Sequence, residues 1–264
     1  MAFFEMHYYS KALQQQVCLN VLLPEVAKTR PEAGVPEGTY KTLYLFHGLS
    51  QDHTGWLRHS CVERLAQKYG IAVVMPNVGR SWYTDMAAGA PYFTFVTQEL
   101  PQVCRGYFQG MSHRREDTLV AGLSMGGYGA IKAALSCPEV YGGCASLSGA
   151  LDITRKNRPY RLEEWRAIFG FQLESAAQLE GSCHDLFYLA RRNAAQGLPF
   201  PKLYIWCGTE DTLLQTNRDY RDLLLELGVP HVYQESEGNH SWPWWDLHIK
   251  DALSCLLDGP PTEL

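Results

Sequence analysis

Apolar residues along the chain fall into two rhythms. Short runs at Lys41–Phe46, Ile71–Met75, Thr118–Ala121, Gly143–Ser148 and Lys202–Cys207 are apolar almost throughout, as in strands covered on both faces. Between them lie longer stretches with helical spacing: Trp56–Lys68 closed by Gly70, Phe93–Phe108 around Pro101, Gly129–Ser136 before Pro138, Thr212–Leu227 closed by Gly228, and Pro243–Leu257. Glu5–Ser10 and Gln15–Leu22 predict two N-terminal antiparallel strands, and His231–Glu235 a late one. Pro24–Thr39 is rich in Pro, Gly and Glu and predicts a loop.

Strands alternating with helices predict a mainly parallel, twisted sheet of about eight strands with helices on both faces, because parallel neighbours need long crossovers. No linker or internal repeat interrupts the pattern, so residues 1–264 are expected to form a single domain. An irregular helical insertion is expected over about 152–196, above the carboxyl ends of the strands where such sheets bind ligands.

Composition narrows the function classes. The chain is 46% hydrophobic with a formal net charge of −5 and no run of like charges, which gives no footprint for nucleic acid or an acidic membrane. No stretch approaches 18 apolar residues, and the N-terminus lacks the pattern of a secretory signal, so a cytoplasmic location is expected. The eight cysteines are expected to be reduced. No C-x-x-C or H-E-x-x-H spacing is present, so neither a metal nor an organic cofactor is expected. Oligomeric state is not readable from the pattern.

The informative stretch is Thr118–Ala130, T-L-V-A-G-L-S-M-G-G-Y-G-A, where an apolar run stops at a Gly-rich turn bearing Ser124. Gly-x-Ser-x-Gly is the form of a nucleophile elbow, a strained strand-to-helix turn that lifts the hydroxyl toward a substrate. A serine hydroxyl needs a base, an acid to orient that base, and donors for the oxyanion. In the order Ser, acid, His typical of α/β-hydrolases, Asp211 follows the strand ending at Cys207 and His240 follows the strand ending at Glu235. Asp152 and Glu210 are the alternative acids. His231 and His248 fall within predicted elements, and His47 lies too early in the chain.

The turn His47-Gly48-Leu49 directly follows the Leu43–Phe46 run, so the backbone N–H groups of Leu49 and Met125 are the expected oxyanion donors. Gly48, Trp82 and Tyr83 are candidates for contact with substrate, the two aromatics as lining of an acyl pocket. Trp244 and Trp245 read as helix packing.

Together L-F-H-G-L-S-Q-D-H-T-G-W-L, V-V-M-P-N, S-W-Y-T-D, A-G-L-S-M-G-G-Y-G, L-S-G-A-L-D, W-C-G-T-E-D and G-N-H-S-W resemble the tributyrin esterase-type branch of the esterase D and S-formylglutathione hydrolase family, from about Met6 to Leu257. The resemblance implies an α/β-hydrolase fold and a serine esterase that cleaves short-chain acyl esters, acetyl to butyryl, using Ser124, Asp211 and His240 with Leu49 and Met125 as oxyanion donors. The same broad group holds feruloyl and acetyl-xylan esterases and mycolyl transferases similar to antigen 85, so plant-derived esters and thioesters are alternative substrates. Leu123 stands where S-formylglutathione hydrolases usually carry His, and their cysteine-bearing segment after the oxyanion Gly-Leu is missing, which counts against formylglutathione. A non-catalytic binding protein of this fold would show a lost triad residue, and none is lost.

Overall fold

The computed structural model describes residues 1–25, 40–155, 162–170 and 172–259. Most of the Pro24–Thr39 loop and residues 156–161 and 171 of the expected insertion lie outside them. The described strands are β1 (Ala2–Ser10), β2 (Gln15–Leu23), β3 (Thr42–Phe46), β4 (Ala72–Pro76), β5 (Thr118–Leu123), β6 (Gly143–Leu147), β7 (Lys202–Gly208) and β8 (Val232–Ser236). They form one sheet in the order β1-β2-β4-β3-β5-β6-β7-β8. β1 and β2 pair antiparallel, as do β2 and β4, and all other neighbours are parallel.

The apolar runs lie in the middle of this sheet. β3, β4, β5 and β6 are buried at every position, whereas the edge strands β1 and β8 are buried on at most one side. Alternation along β3 shows the two layers: Tyr44 and Phe46 join one core, Leu43 and Leu45 the other. The first core takes in Leu100 and Cys104 of α4 (Leu100–Tyr107), Tyr128 and Ile131 of α5 (Met125–Ser136), Leu189 of α7 (Leu186–Ala195) and Tyr220 of α8 (Leu214–Glu226). The second takes in Trp56 of α1 (Gly55–His59), Leu65 of α2 (Val62–Tyr69) and Ile249 of α9 (Trp242–Leu256).

Two helices depart from their sequence pattern. The periodic stretch Trp56–Lys68 is split into α1 and α2, because Ser60 turns extended and its hydroxyl bonds back to Trp56 O at 2.6 Å. The Cys61 N–H released by the break is taken by Asp246 Oδ1 of α9 at 2.6 Å. The stretch around Pro101 runs as α3 (Tyr92–Thr94), a π turn (Phe95–Glu99) and α4. Pro101 has no N–H to give the preceding turn, and the wider π turn absorbs that loss without ending the helix. Within the expected insertion, the described residues hold α6 (Leu162–Phe169), a 3₁₀ turn (Ala176–Leu179) and α7.

The close approach of α5 to the sheet depends on two glycines. A Cβ on Gly126 would press on the backbone oxygens of Phe46 and His47, the latter at 2.7 Å, and one on Gly122 would meet the backbone of Gly126. Backbone atoms cannot turn aside as a side chain does, so Gly126→Ala should cost at least about 2 kcal/mol. A fall in the urea unfolding midpoint, with esterase activity lost in parallel, is the expected result. An unchanged midpoint would mean that helix and sheet are less tightly apposed than described.

Candidate active site

The parallel strands deliver Ser124, Asp211, His240 and the His47–Leu49 turn to one edge of the sheet, each just past a strand's carboxyl end. Ser124 occupies a left-handed backbone position, φ 54° and ψ −118°, which costs a non-glycine residue about 1–3 kcal/mol. Three hydrogen bonds hold it there. Its N–H donates to Leu147 O at 3.0 Å, and its carbonyl accepts from the N–H groups of Tyr128 and Ala150, both at 3.1 Å. The elbow is therefore stitched both to its own helix and to the end of β6.

Asp211 and His240 sit in loops that are joined to each other. Thr209 N donates to Ser236 O at 2.8 Å and Glu210 N to Gly238 O at 2.9 Å, so the Asp211 loop and the His240 loop are pinned to each other. Asp211 Oδ2 lies 2.8 Å from His240 Nδ1, and His240 Nε2 lies 2.9 Å from Ser124 Oγ. A second Asp211 oxygen accepts the Leu213 N–H at 2.8 Å, and the side chain is fully buried. Burial works to raise the Asp211 carboxyl. The hydrogen bond and charge of His240, with help from Leu213 and Ser148, outweigh it and hold the carboxyl below its ordinary range. An ionised carboxylate only accepts, so in the neutral imidazole the proton is on Nδ1 and the Nε2 lone pair faces the serine hydroxyl. Trp245 stands edge-on to His240 with ring centroids 5.0 Å apart, limiting rotation of the imidazole.

The turn after β3 is fixed at nearly every polar atom. Phe46 O accepts Trp56 Nε1 at 2.9 Å, His47 O accepts the Tyr83 hydroxyl at 3.0 Å, and Gly48 N donates to Gln51 Oε1 at 3.1 Å. Gly48 O accepts His47 Nδ1 at 2.8 Å and Gln51 N at 3.2 Å. The N–H groups of Leu49 and Met125 have no acceptor among the described residues, Met125 being the first residue of α5. Free amides at a helix start and on a rigid turn suit a developing negative charge.

The remaining candidates lie elsewhere. Asp152 bonds Thr154 and Arg155, and Glu210 is exposed beside Asp211. His231 Nδ1 meets Val229 O at 2.8 Å. Trp82 and Tyr83 are buried in the core, Tyr83 stacked on Phe46 at 4.4 Å and Trp82 edge-on to Tyr128 at 5.7 Å. Tyr83 thus props the His47–Leu49 turn from below. A second Ser–His–Asp chain exists, with Ser236 Oγ 3.0 Å from His248 Nε2 and His248 Nδ1 2.8 Å from Asp251 Oδ2. Ser236 ends β8 with no elbow, its hydroxyl engaged with Trp206 Nε1 and Glu237 O, so this chain fastens α9 to the sheet.

Residues 10–256 match the Esterase family model. An acetyl esterase of Caldicellulosiruptor saccharolyticus is 33% identical over 97% of this chain and 98% of its own. The chain belongs to the Esterase family. Among solved structures, fluorophosphonate-binding serine hydrolase F of Staphylococcus aureus superimposes with a TM-score of 0.89 at 33% identity, covering 97% of this chain and 98% of that one. An S-formylglutathione hydrolase from the same organism gives 0.86 at 33% identity over the same shares. A ferulic acid esterase, 20% identical with a TM-score of 0.79, shares the α/β-hydrolase fold. The protein is a serine esterase of this fold. No helix among the described residues is long and apolar enough to cross a membrane.

Several supports of the esterase's site carry no motif. Ser148, at φ 48°, accepts Trp245 Nε1 at 3.1 Å and adds to the stabilisation of Asp211. Lys132 of α5, fully enclosed, donates to Tyr83 O at 3.1 Å and Thr84 Oγ1 at 2.7 Å, holding the left-handed turn at Trp82 and Tyr83. His47 is the most constrained. Its Nδ1–H goes to Gly48 O and its Nε2 accepts the Val78 N–H at 3.1 Å, so only the neutral ring satisfies both partners. Only the helical position of Lys132 and the strand-end position of His47 hint at these roles in the sequence.

Burial lowers the His47 pKa to about 4, beneath the ordinary value of about 6.5. Between those values the unfolded chain takes up a proton that the folded esterase refuses, so stability falls as pH drops from 6.5 toward 4. The loss from this residue reaches about 3 kcal/mol. Urea unfolding from pH 7 to 4.5 should show this slope, and His47→Gln should flatten it. An equal slope in both proteins would remove His47 as its source.

Proposed function

We propose that this esterase hydrolyses short-chain acyl esters, acetyl to butyryl, through a Ser124–His240–Asp211 triad and an acyl-enzyme intermediate. The observation that carries the reading is the unbroken chain of contacts from Asp211 Oδ2 to His240 Nδ1 at 2.8 Å and from His240 Nε2 to Ser124 Oγ at 2.9 Å. His240 takes the hydroxyl proton as Oγ adds to the ester carbonyl, then returns it to the departing alcohol. The N–H groups of Leu49 and Met125 hold the carbonyl oxygen as it becomes an oxyanion, a contribution of about 3 kcal/mol per donor. His240 next deprotonates a water that releases the acid and frees Ser124. Asp211 remains ionised, orienting the imidazole and stabilising it when charged.

The acetyl esterase at 33% identity over nearly its full length supports the acetyl end of this range. A formyl thioester is the second reading, favoured by the S-formylglutathione hydrolase structure at the same identity, and the same residues would act on it. The substrate is a small-molecule ester, and its cleavage by these residues calls for neither a metal nor an organic cofactor.

Ser124→Ala should lower kcat on a chromogenic butyrate by about 10⁴ or more, with the unfolding midpoint no lower than that of the parent. Asp211→Asn should cost about 10⁴ through the wrong imidazole tautomer. Near-normal turnover by either variant contradicts the triad. Across acetyl, butyryl, octanoyl, feruloyl and formyl-thioester substrates, kcat/KM should peak at acetyl or butyryl; a peak at feruloyl or formyl would replace the acyl assignment and leave the triad intact.

A further inference from the structure

We infer that Glu5, His7, Cys18 and His53 form a binding site for a borderline divalent cation of the zinc class on the outer β-hairpin. The site lies on β1 and β2, at the far edge of the sheet from β7 and β8, and takes no part in ester cleavage. Its residues are scattered in sequence, and the strand register gathers them.

Glu5 and His7 are two apart on β1 and so project to one face. Cys18 pairs directly with His7 across the hairpin, and Asn20 with Glu5. Asn20 Nδ2 donates to His53 O at 3.1 Å, which draws the 50–54 loop onto the same face. The ligand atoms of Glu5, His7 and Cys18 all lie within 4.8 Å of one another. His7 Nε2 is 3.1 Å from Glu5 Oε1 and 3.5 Å from Cys18 Sγ, and Cys18 Sγ is 3.2 Å from His53 Nε2. Tetrahedral coordination with bonds of about 2.0–2.3 Å requires ligand separations of about 3.4 Å between N and O and about 3.6 Å between N and S. The His7–Glu5 and His7–Cys18 separations lie close to these edges, and His53 approaches the group from the Cys18 side.

Hydrogen bonding uses this arrangement less completely. A thiol has one proton, yet Sγ stands within reach of two imidazole nitrogens, while His7 Nε2 is shared between a carboxylate and the sulfur. Among the described residues His53 Nδ1 is buried without a partner, and the contact of Nε2 with sulfur is the polar contact that orients the ring. One cation among Glu5, His7 and Cys18 would satisfy three donors, and His53, 3.2 Å from Cys18 Sγ, would complete the set by turning its ring toward the ion. Binding displaces the Cys18 proton to solvent, and the thiolate and the Glu5 carboxylate then balance two positive charges. One sulfur and two imidazoles select zinc-like ions over calcium or magnesium. Glu5 and His7 are more than half exposed, which leaves the ion an entry path. The bound ion would tie the hairpin to the loop that follows the His47–Leu49 turn, adding stability without touching the reacting atoms.

The test uses full-length esterase without a histidine tag, stripped with chelator and titrated with Co²⁺. One equivalent should produce a thiolate-to-cobalt charge-transfer band and tetrahedral d–d absorption, both displaced by Zn²⁺, and Zn²⁺ should raise the unfolding temperature. Cys18→Ser should abolish the charge-transfer band and weaken Zn²⁺ binding at least about tenfold, with metal-free esterase activity unchanged. His53→Ala should weaken Zn²⁺ binding likewise. Absence of the band in the parent protein, or an equal Zn²⁺-induced shift in Cys18→Ser, overturns the site and leaves a hydrogen-bonded cluster.

Discussion

Everything at the active edge depends on how closely α5 approaches the end of the sheet. The backbone at Gly126 lies against the carbonyls of Phe46 and His47, and Gly122 lies against Gly126. Two side-chain-free positions therefore let three segments share one place: the end of β5, the start of α5 and the turn after β3. Ser124 takes the strain of that junction in its left-handed backbone, and hydrogen bonds to Leu147, Tyr128 and Ala150 keep it there. The same apposition sets the start of α5 beside the turn carrying Leu49, so the proposed nucleophile and the proposed oxyanion donors are positioned by one contact.

The rest of the site works by removing freedom. Asp211 and His240 come from loops bonded to one another through backbone groups, and Trp245 limits rotation of the imidazole. The His47–Leu49 turn is held by Trp56 from one layer of the protein and Tyr83 from the other. Tyr83 is in turn gripped by Lys132, a residue of the helix that begins at the elbow. Ser124, Trp82, Tyr83 and Ser148 all take positive φ near the triad, where the surrounding bonds can sustain the strain.

Much of this was legible in the sequence because it is written in local pattern. Continuous apolar runs mark the buried strands, and following which loop succeeds which strand points to Ser124, Asp211 and His240, three side chains that the fold brings within hydrogen-bond reach of one another. What could not be read depends on distant partners. Tyr83 reaches His47 across 36 positions, and the break between α1 and α2 is satisfied by Asp246, 185 residues after Cys61. No periodicity encodes such contacts. Trp82 and Tyr83 read as candidates for lining an acyl pocket; both are buried, and Tyr83 holds the His47–Leu49 turn through its hydroxyl. The cluster at Glu5, His7, Cys18 and His53 escaped motif spacing for a related reason, since antiparallel register rather than sequence separation brings it together.

In the proposed reaction Ser124 alone carries the acyl group. Treating the esterase with a fluorophosphonate, digesting it and locating the adduct by tandem mass spectrometry tests that claim most directly. The account predicts one adduct per chain, on Ser124, with loss of activity in proportion to labelling. An adduct confined to another residue, or full activity in a fully labelled protein, would contradict it.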